Sequence, residues 1–249
     1  ETATAINIPS DQQLIHVIPQ EYIIDGQEEI RQPIGMSGVR LEVRAHIVTG
    51  SVSAAQNIIK CIKRCGIEVK ELVLQPLASS NAILTEDEKI LGTVLVDIGG
   101  GTTDIAVYNN GSIEYTSSVS LGGDQVTNDL AQALKTSTNN AEELKIRHGC
   151  VTPAFENEDN IEVPGVGDRP ARLVRKKIII QVMSDRYQEI FSFVKEKIQQ
   201  SGFEDRIPAG IVLTGGSSKV EGIEDLAEEV FHAQVRVGIP EHIYGGSED

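Results

Sequence analysis

Apolar and polar residues follow two recurring patterns in the first part of the chain. Residues 39–48 alternate between apolar and polar side chains, the period of a strand with one face buried. After Gly50, apolar residues recur every three or four positions, which is typical of an amphipathic helix. Ser51 or Ser53 can cap the start of this helix, and Gly66 is placed to end it. The pattern predicts a strand followed by a helix.

The rest of the chain continues the alternation of strands and helices. Residues 93–98 are apolar apart from Thr93 and Asp97, which is typical of a strand buried on both faces. Asn109-Asn110-Gly111 has the composition of a tight turn between two strands, and residues 151–168 lack a period and predict a surface loop or hairpin. The other predicted elements are strands at 67–74, 210–213 and 235–237, and helices at 77–85, 123–134, 141–147, 173–200 and 223–231. This order predicts an α/β fold.

Composition and charge exclude several classes of protein. Lys and Arg number 22 against 37 Asp and Glu, and the net charge of −15 argues against general nucleic-acid binding. No segment approaches the roughly 18 apolar residues that a membrane-spanning helix needs. Three cysteines without a Cys-x-x-Cys pair favour a reducing, cytoplasmic location. Cys61 and Cys65 lie one helical turn apart, and we expect helix packing to bury them rather than a metal to bind them.

A glycine-rich turn follows the most apolar predicted strand. Gly99-Gly100-Gly101 comes two residues after Asp97 and is followed by a second strand. Consecutive glycines allow backbone N–H groups to approach an anion without obstruction by a Cβ atom, which suits a polyphosphate. The segment lacks the Lys of a Walker A loop, and the following hairpin excludes a dinucleotide fingerprint. A tight hairpin with a structural Asp is the alternative interpretation.

Two later segments carry further candidate chemistry. Glu142 and Lys145 are three residues apart and share one face of a predicted helix, where they can bind ribose hydroxyls or an adenine edge, or simply pair in solvent. Gly215-Gly216-Ser217 follows a short buried strand and offers flat backbone for an adenine, or forms an ordinary strand-to-helix turn.

The order of these three segments resembles that of the actin-like ATPases, in which a phosphate hairpin, a ribose helix and an adenosine loop follow one another. Further stretches are similar to FtsA, the bacterial actin homologue of cell division. These stretches are 16–22, 35–40, 65–66, 77–80, 147–150, 230–231 and 235–236. The resemblance covers nearly the whole chain.

The resemblance implies a partial actin-like ATPase fold, which is ribonuclease H-like. Residues 1–75 would then form part of the FtsA insertion subdomain and its return into the core. Residues 76–249 would form the nucleotide-binding half, with an inserted lid subdomain at about 123–205.

The resemblance also implies a site for ATP and magnesium. Asp97 would hold a hydrated Mg²⁺ ion, and Gln75 resembles a residue that positions the attacking water, although a plain turn after a strand is the alternative. The residues implied around the nucleotide are Gly99, Gly100, Gly101, Thr102 and Thr103 at the phosphates, Glu142 and Lys145 at the ribose, and Gly215, Gly216 and Ser217 at the adenosine.

The family's role implies an adaptor with at most weak ATPase activity, located at the inner face of the cell membrane at the division site. It would polymerise, tether FtsZ filaments, and meet other division proteins through the insertion subdomain. The tail of FtsZ would bind a basic cluster at the start of the predicted helix 173–200, the alternative being that these charges only form a solvated helix face. This cluster comprises Arg169, Arg172, Arg175, Lys176 and, further along, Arg186.

Two other functions remain open on the sequence. A pilus-assembly actin homologue would be a scaffold that ignores FtsZ, and a phosphotransferase such as a sugar kinase would need a carboxylate base that no segment supplies. The sequence also departs from the actin-like pattern, since no Asp-x-Gly-Thr hairpin followed by Lys occurs in residues 1–92. We therefore expect half of the phosphate clamp, and the family's membrane anchor, to lie outside this chain.

Overall fold

The computed structural model describes residues 8–152, 159–167 and 169–240. The elements in chain order are β1 Gln12–Ile24, β2 Gln27–Ile30, β3 Leu41–Ser51, α1 Val52–Arg64, α2 Gln75–Ile83, α3 Glu86–Leu91, β4 Thr93–Ile98, β5 Thr103–Asn109, β6 Ser112–Val119, α4 Gly123–Ala133, α5 Thr138–His148, β7 Asn160–Val163, β8 Arg172–Arg175, α6 Lys176–Ser201, β9 Ile211–Thr214, α7 Ile223–Phe231 and β10 Val235–Val237.

The first three strands form an antiparallel sheet in the order β2-β1-β3. The predicted strand at 39–48 is β3, which begins two residues later and continues to Ser51. The sequence pattern did not reveal β1, because its register with β3 shifts between Leu14 and His16 and again between Pro19 and Glu21. Each shift interrupts the alternation that identifies a strand.

Helix α1 follows β3 as predicted. The Ser51 hydroxyl accepts a hydrogen bond from the Ala54 N–H at the N-terminus, and Gly66 beyond the C-terminus has φ of +76°. The expectation that Cys61 and Cys65 are buried was wrong, because both are exposed. Amphipathic spacing shows which face of a helix is apolar, but it does not show whether another element covers that face.

The predicted strand at 67–74 was also wrong, since this segment is irregular. Among the described residues no neighbouring strand pairs with it, and the Leu74 N–H donates instead to Nε2 of His16 at 3.0 Å. An isolated extended segment has no ladder of hydrogen bonds to hold it as a strand. The helix predicted next is α2, and the short helix α3 that follows was not predicted; Thr85 and Glu88 form its capping box.

A five-stranded sheet in the order β10-β9-β4-β5-β6 forms the centre of the fold. Strand β4 is parallel to β9 and antiparallel to β5, and all of its residues are buried, as predicted. Asn110 and Gly111 both have positive φ in the turn between β5 and β6, which confirms the predicted hairpin.

Both faces of this sheet are covered. Val94, Val96 and Ile98 of β4 point into a large core built with α4 to α7, in which Tyr187 and Phe191 are among the largest fully buried side chains. Leu95 points the opposite way, into a smaller core with residues of α2 and the segment after it. Helices on both faces of a central sheet confirm the α/β prediction.

The region before α6 differs from the prediction. Residues 172–175 belong to β8, which pairs with β7 as a hairpin, so the helix expected over 173–200 begins at Lys176. The Lys176 N–H donates to the Asp159 carbonyl at 2.9 Å, which ties the start of α6 to the segment before β7. Within the predicted loop 151–168, residues 153–158 and 168 lie outside the described part of the chain. No described helix is both long enough and apolar enough to cross a membrane.

Candidate functional site

The glycine turn between β4 and β5 abuts the start of α4. The Gly99 and Gly100 carbonyls accept hydrogen bonds from the Gly123 and Asp124 N–H groups at 2.9 and 2.8 Å. A Cβ atom added to Gly100 would lie 3.1 Å from Oδ1 of Asp124, which leaves little space for a side chain. The turn therefore presents backbone rather than side chains at this edge of the sheet.

Helix α5 brings Glu142 and Lys145 to the same place. Lys145 Nζ lies 2.7 Å from the Glu142 carboxylate and donates to Oγ1 of Thr127 at 2.8 Å and to the Gly123 carbonyl at 3.1 Å. Thr127 also donates to Glu142. Burial raises the pKa of Glu142, but the hydrogen bonds from Lys145 and Thr127 and the Lys145 charge outweigh it, so the pKa lies below its ordinary value. Glu142 is thus a charged acceptor at neutral pH.

The loop after β9 forms the third wall of the site, after the glycine turn and helix α5. Gly215 has φ of +90°, and a Cβ atom there would lie 2.4 Å from the Ile98 carbonyl, so only glycine fits. The Ser217 hydroxyl donates to the Gly99 carbonyl at 3.1 Å, and the Tyr187 hydroxyl donates to the Ser217 carbonyl at 2.9 Å. Burial raises the pKa of Tyr187, which keeps its phenol protonated as a donor. Helix α6, the loop and the glycine turn are thereby linked.

These three segments enclose a cleft of about 470 Å³. Among the predicted site residues, those that line it are Gly99, Gly100, Glu142, Lys145, Gly216 and Ser217. The cleft is also lined by residues that sequence reasoning did not assign to the site, namely Gly123, Asp124, Ile146, Gly149, Tyr187, Lys219 and Val220. Ile146, Gly149, Lys219 and Val220 lie within or next to the motifs already recognised, whereas only tertiary packing brings Tyr187 to the cleft.

The remaining predicted nucleotide residues lie at or behind the glycine turn rather than in the cleft lining. Gly101 and Thr102 are exposed in the turn. The Thr103 hydroxyl donates to the Leu121 carbonyl at 2.8 Å, so its side chain serves the fold. A Cβ atom added to Gly215 would lie 2.6 Å from Oδ1 of Asp97, which places this carboxylate directly behind the loop.

Asp97 is 5% exposed and is held by two residues of α2. Gln75 Nε2 donates to its Oδ2 at 3.0 Å, and the Ser79 hydroxyl donates to the same oxygen at 2.8 Å. The structure therefore joins Gln75 and Asp97, which the sequence suggested separately, and adds Ser79. No group of three or more His, Cys, Asp or Glu side chains in the described segments is placed to hold a metal ion.

The predicted basic cluster divides between different elements. Arg172 lies in β8 and donates to the Leu134 carbonyl at 2.6 Å, and Arg175 precedes the first turn of α6. Arg186 pairs with Asp129 of α4 at 2.5 Å and with Glu189. Arg169 lies in the loop before β8. Arg172 and Arg186 thus both contact α4 or its end, along the groove between α4 and α6.

The fold is that of the actin-like ATPases. A chain of a PilM–PilN type IV pilus biogenesis complex aligns with a TM-score of 0.64 at 15% identity, over 95% of this chain and 59% of the other. The MamK double helical filament aligns with a TM-score of 0.59 at 18% identity, over 76% and 60%. MreB5 of Spiroplasma citri bound to ADP aligns with a TM-score of 0.51 at 16% identity, over 90% and 83%.

Sequence comparisons identify the family. The family model described as cell division protein FtsA matches residues 94–248, and the SHS2 domain inserted in FtsA matches residues 1–49. Cell division protein FtsA of Pseudomonas aeruginosa is 52% identical over 98% of this chain, and that of Escherichia coli is 43% identical over 98%. The chain spans 59% and 60% of the length of these two relatives. The chain belongs to the FtsA family of cell division proteins.

Proposed function

We propose that this chain supplies the nucleotide-binding half of an FtsA-type division adaptor and that its cleft binds ATP. The observation that carries the proposal is the convergence of three segments, far apart in sequence, on one cleft that backbone and a Glu–Lys pair line. Concave sites with a few convergent polar groups are where small ligands bind. The structural neighbour MreB5, which is bound to ADP, supports the same assignment.

Each wall of the cleft has chemistry that suits one part of ATP. The Gly99-Gly100 backbone can approach phosphate oxygens because no Cβ atom intervenes. The charged Glu142 can accept hydrogen bonds from ribose hydroxyls, and Lys145 holds that carboxylate in place through contacts with Glu142, Thr127 and the Gly123 carbonyl. The adenine would lie on Gly216 and Ser217, with the exposed side chain of Ile146 at the edge of the cleft.

Asp97 fits the role of a carboxylate that holds a hydrated Mg²⁺ ion through the waters of the ion. Both hydrogen bonds that Asp97 receives from the described residues end on Oδ2, which leaves Oδ1 as an acceptor. Mg²⁺ keeps several of its waters and commonly binds through one or two carboxylates together with substrate phosphates. A single carboxylate behind the loop that follows β9 is consistent with this mode of binding.

The wider role follows from the family. We propose that the protein polymerises, tethers FtsZ filaments to the inner membrane at the division site, and contacts other division proteins through the region that matches the SHS2 domain. The MamK neighbour, a double helical filament, supports self-association. The cytoplasmic side of the membrane is the corresponding location.

Assembly of a version extended to the length of the relatives tests the nucleotide proposal. We expect Asp97→Asn and Gly100→Val each to abolish ATP-dependent pelleting and to leave the circular dichroism spectrum unchanged. Asn lacks the charge that holds the magnesium shell, and Val places a branched side chain beside Asp124, where a phosphate would approach. Normal ATP-dependent pelleting by both variants would contradict the assignment.

We further propose that the groove between α4 and α6 receives the tail of FtsZ. The groove is lined by Val182 and Arg186 together with Asp129, Asp185 and Glu189, and the exposed Ile178 lies one helical turn before Val182. Arg172 and Arg175 of β8 and Lys176 precede these residues at the start of α6. In peptide docking of this kind, the burial of apolar side chains supplies the affinity, and charge pairs fix the position of the peptide along the groove. We expect a synthetic tail peptide to bind this chain without ATP and to bind less tightly as salt rises.

Fluorescence anisotropy with two matched triple variants decides the docking proposal. Arg172→Ala/Arg175→Ala/Lys176→Ala should weaken binding, whereas Lys60→Ala/Lys63→Ala/Arg64→Ala removes the same charge from α1 and should not. Because Arg172 also bonds the Leu134 carbonyl, thermal melts must show that the first variant is folded. Equal affinity for the two variants, or binding that is insensitive to salt, contradicts the site.

A further inference from the structure

Helix α2 presents two donors to one oxygen of Asp97. Gln75 and Ser79 are four residues apart and so lie on the same face of the helix, one turn above the other. Their side chains donate to Oδ2 of Asp97 at 3.0 and 2.8 Å, and no described residue donates to Oδ1. The carboxylate is thus hydrogen-bonded at one oxygen only, and its other oxygen, Oδ1, lies beside Gly215.

We infer that Ser79 is a positioning residue for the cation that accompanies the nucleotide, an inference that rests on the proposed function. It acts through Asp97 by fixing the plane of the carboxylate, so that Oδ1 stays available to accept a hydrogen bond from a water of the hydrated Mg²⁺ ion. Ser79 itself does not contact the nucleotide.

The geometry explains why a second donor matters. The last torsion of an Asp side chain is broad and roughly two-fold, so one hydrogen bond leaves the carboxylate free to swing. Gln75 is exposed, and its long side chain has several rotatable bonds. Ser79 is half-buried, and its hydroxyl is attached directly to Cβ, so the position of the oxygen depends on one torsion. Ser79 is therefore the more rigid of the two donors.

The neighbouring Ser80 serves a different contact and provides a matched control. Its hydroxyl donates to the Leu77 carbonyl at 2.9 Å and lies 2.6 Å from the Tyr108 hydroxyl, in the small core between α2 and the sheet. Replacing Ser80 removes a hydroxyl from the same helix without touching Asp97. Any effect that arises only from weakening α2 should appear in both variants.

Binding of ATP to this chain, measured by calorimetry with Mg²⁺ titrated in and again with the metal chelated, tests the inference. We expect Ser79→Ala to raise the Mg²⁺ concentration for half-maximal ATP binding about fivefold and to leave metal-free ATP binding unchanged. Ser79→Thr should restore the wild-type value because it keeps the hydroxyl. Ser80→Ala should lower the melting temperature and leave the Mg²⁺ dependence at the wild-type value.

The outcomes separate this inference from the proposed function. A wild-type chain that binds no ATP, with or without Mg²⁺, overturns both. Wild-type ATP binding that does not depend on Mg²⁺ overturns the role of Ser79 and leaves the ATP site standing. A wild-type Mg²⁺ dependence that Ser79→Ala leaves unaltered overturns the role of Ser79 alone. So does an equal loss of ATP affinity with and without the metal, because that result marks a general structural effect.

Discussion

Replacement of Glu142 by Gln probes the ribose wall of the cleft with little change in shape. The carboxylate lies 2.7 Å from Lys145 and accepts a hydrogen bond from Thr127, and its lowered pKa keeps it charged at neutral pH. Gln can still accept from Thr127, but it carries no charge. The variant therefore tests the charge of the acceptor rather than the presence of a side chain.

The size of the effect follows from the type of hydrogen bond. A hydroxyl that donates to a charged acceptor contributes about 1.5 to 3 kcal/mol, and a loss of about 1.4 kcal/mol is tenfold in affinity. The Glu142 side chain is 43% exposed, so solvent screening places the effect at the lower end of this range. We expect Glu142→Gln to weaken ATP binding about tenfold.

Glu143→Gln is the matched control for Glu142→Gln. It removes the same charge from the next position of α5, where the carboxylate is 67% exposed and lies 3.8 Å from Arg147. Calorimetry should show ATP affinity within about twofold of wild type for this variant. With 2′,3′-dideoxy-ATP, which lacks both ribose hydroxyls, Glu142→Gln and wild type should bind equally. Equal ATP affinities for the two variants, or the same tenfold loss with the dideoxy nucleotide, would refute the ribose assignment.

Two further predictions concern stability and the rest of the clamp. Arg236 hydrogen-bonds Glu88 and lowers the pKa of its carboxyl, so this contact stabilises the fold above the ordinary pKa of a Glu side chain and is lost as the pH falls through the folded-state pKa. Urea titrations should show Glu88→Gln about 1.5 kcal/mol less stable than wild type at pH 7, with the difference shrinking as the pH falls below the ordinary pKa of Glu; a difference that does not vary with pH would contradict this. A version extended to the length of the relatives should bind Mg-ATP at least tenfold more tightly than this chain, since residues 1–92 contain no first phosphate hairpin. Equal affinities of the two versions for Mg-ATP would contradict that prediction.

Local sequence patterns correctly predicted the elements whose hydrophobic pattern matches their burial in the fold. The strand at 93–98 and the helix at 223–231 match β4 and α7 residue for residue, because a continuous apolar run and a clear amphipathic period each have one interpretation. The resemblance to FtsA selected the segments that meet at the cleft. The order of the three segments along the chain pointed to an actin-like nucleotide site. Each segment taken alone also fitted an ordinary turn or a solvated charge pair.

The errors arose where structure depends on partners distant in sequence. The segment 67–74 has strand-like residues but no described strand to pair with, and β8 was taken for helix because a four-residue strand is too short to show a period. Ser79 holds Asp97 across 18 positions, and Tyr187 reaches Ser217 across 30. Contacts between residues so far apart leave no local sequence pattern, so the sequence alone did not identify Ser79 or Tyr187.

Photolabelling with an azido-adenine analogue of ATP, followed by peptide mapping, tests the central claim that the cleft binds the nucleotide. We expect the label on peptides that contain residues 142–149 and 215–220, the segments beside which the adenine would lie. Excess unlabelled ATP should suppress this labelling, and Glu142→Gln should reduce it. Label confined to other peptides, or labelling of these two segments that excess ATP does not suppress, would contradict the account.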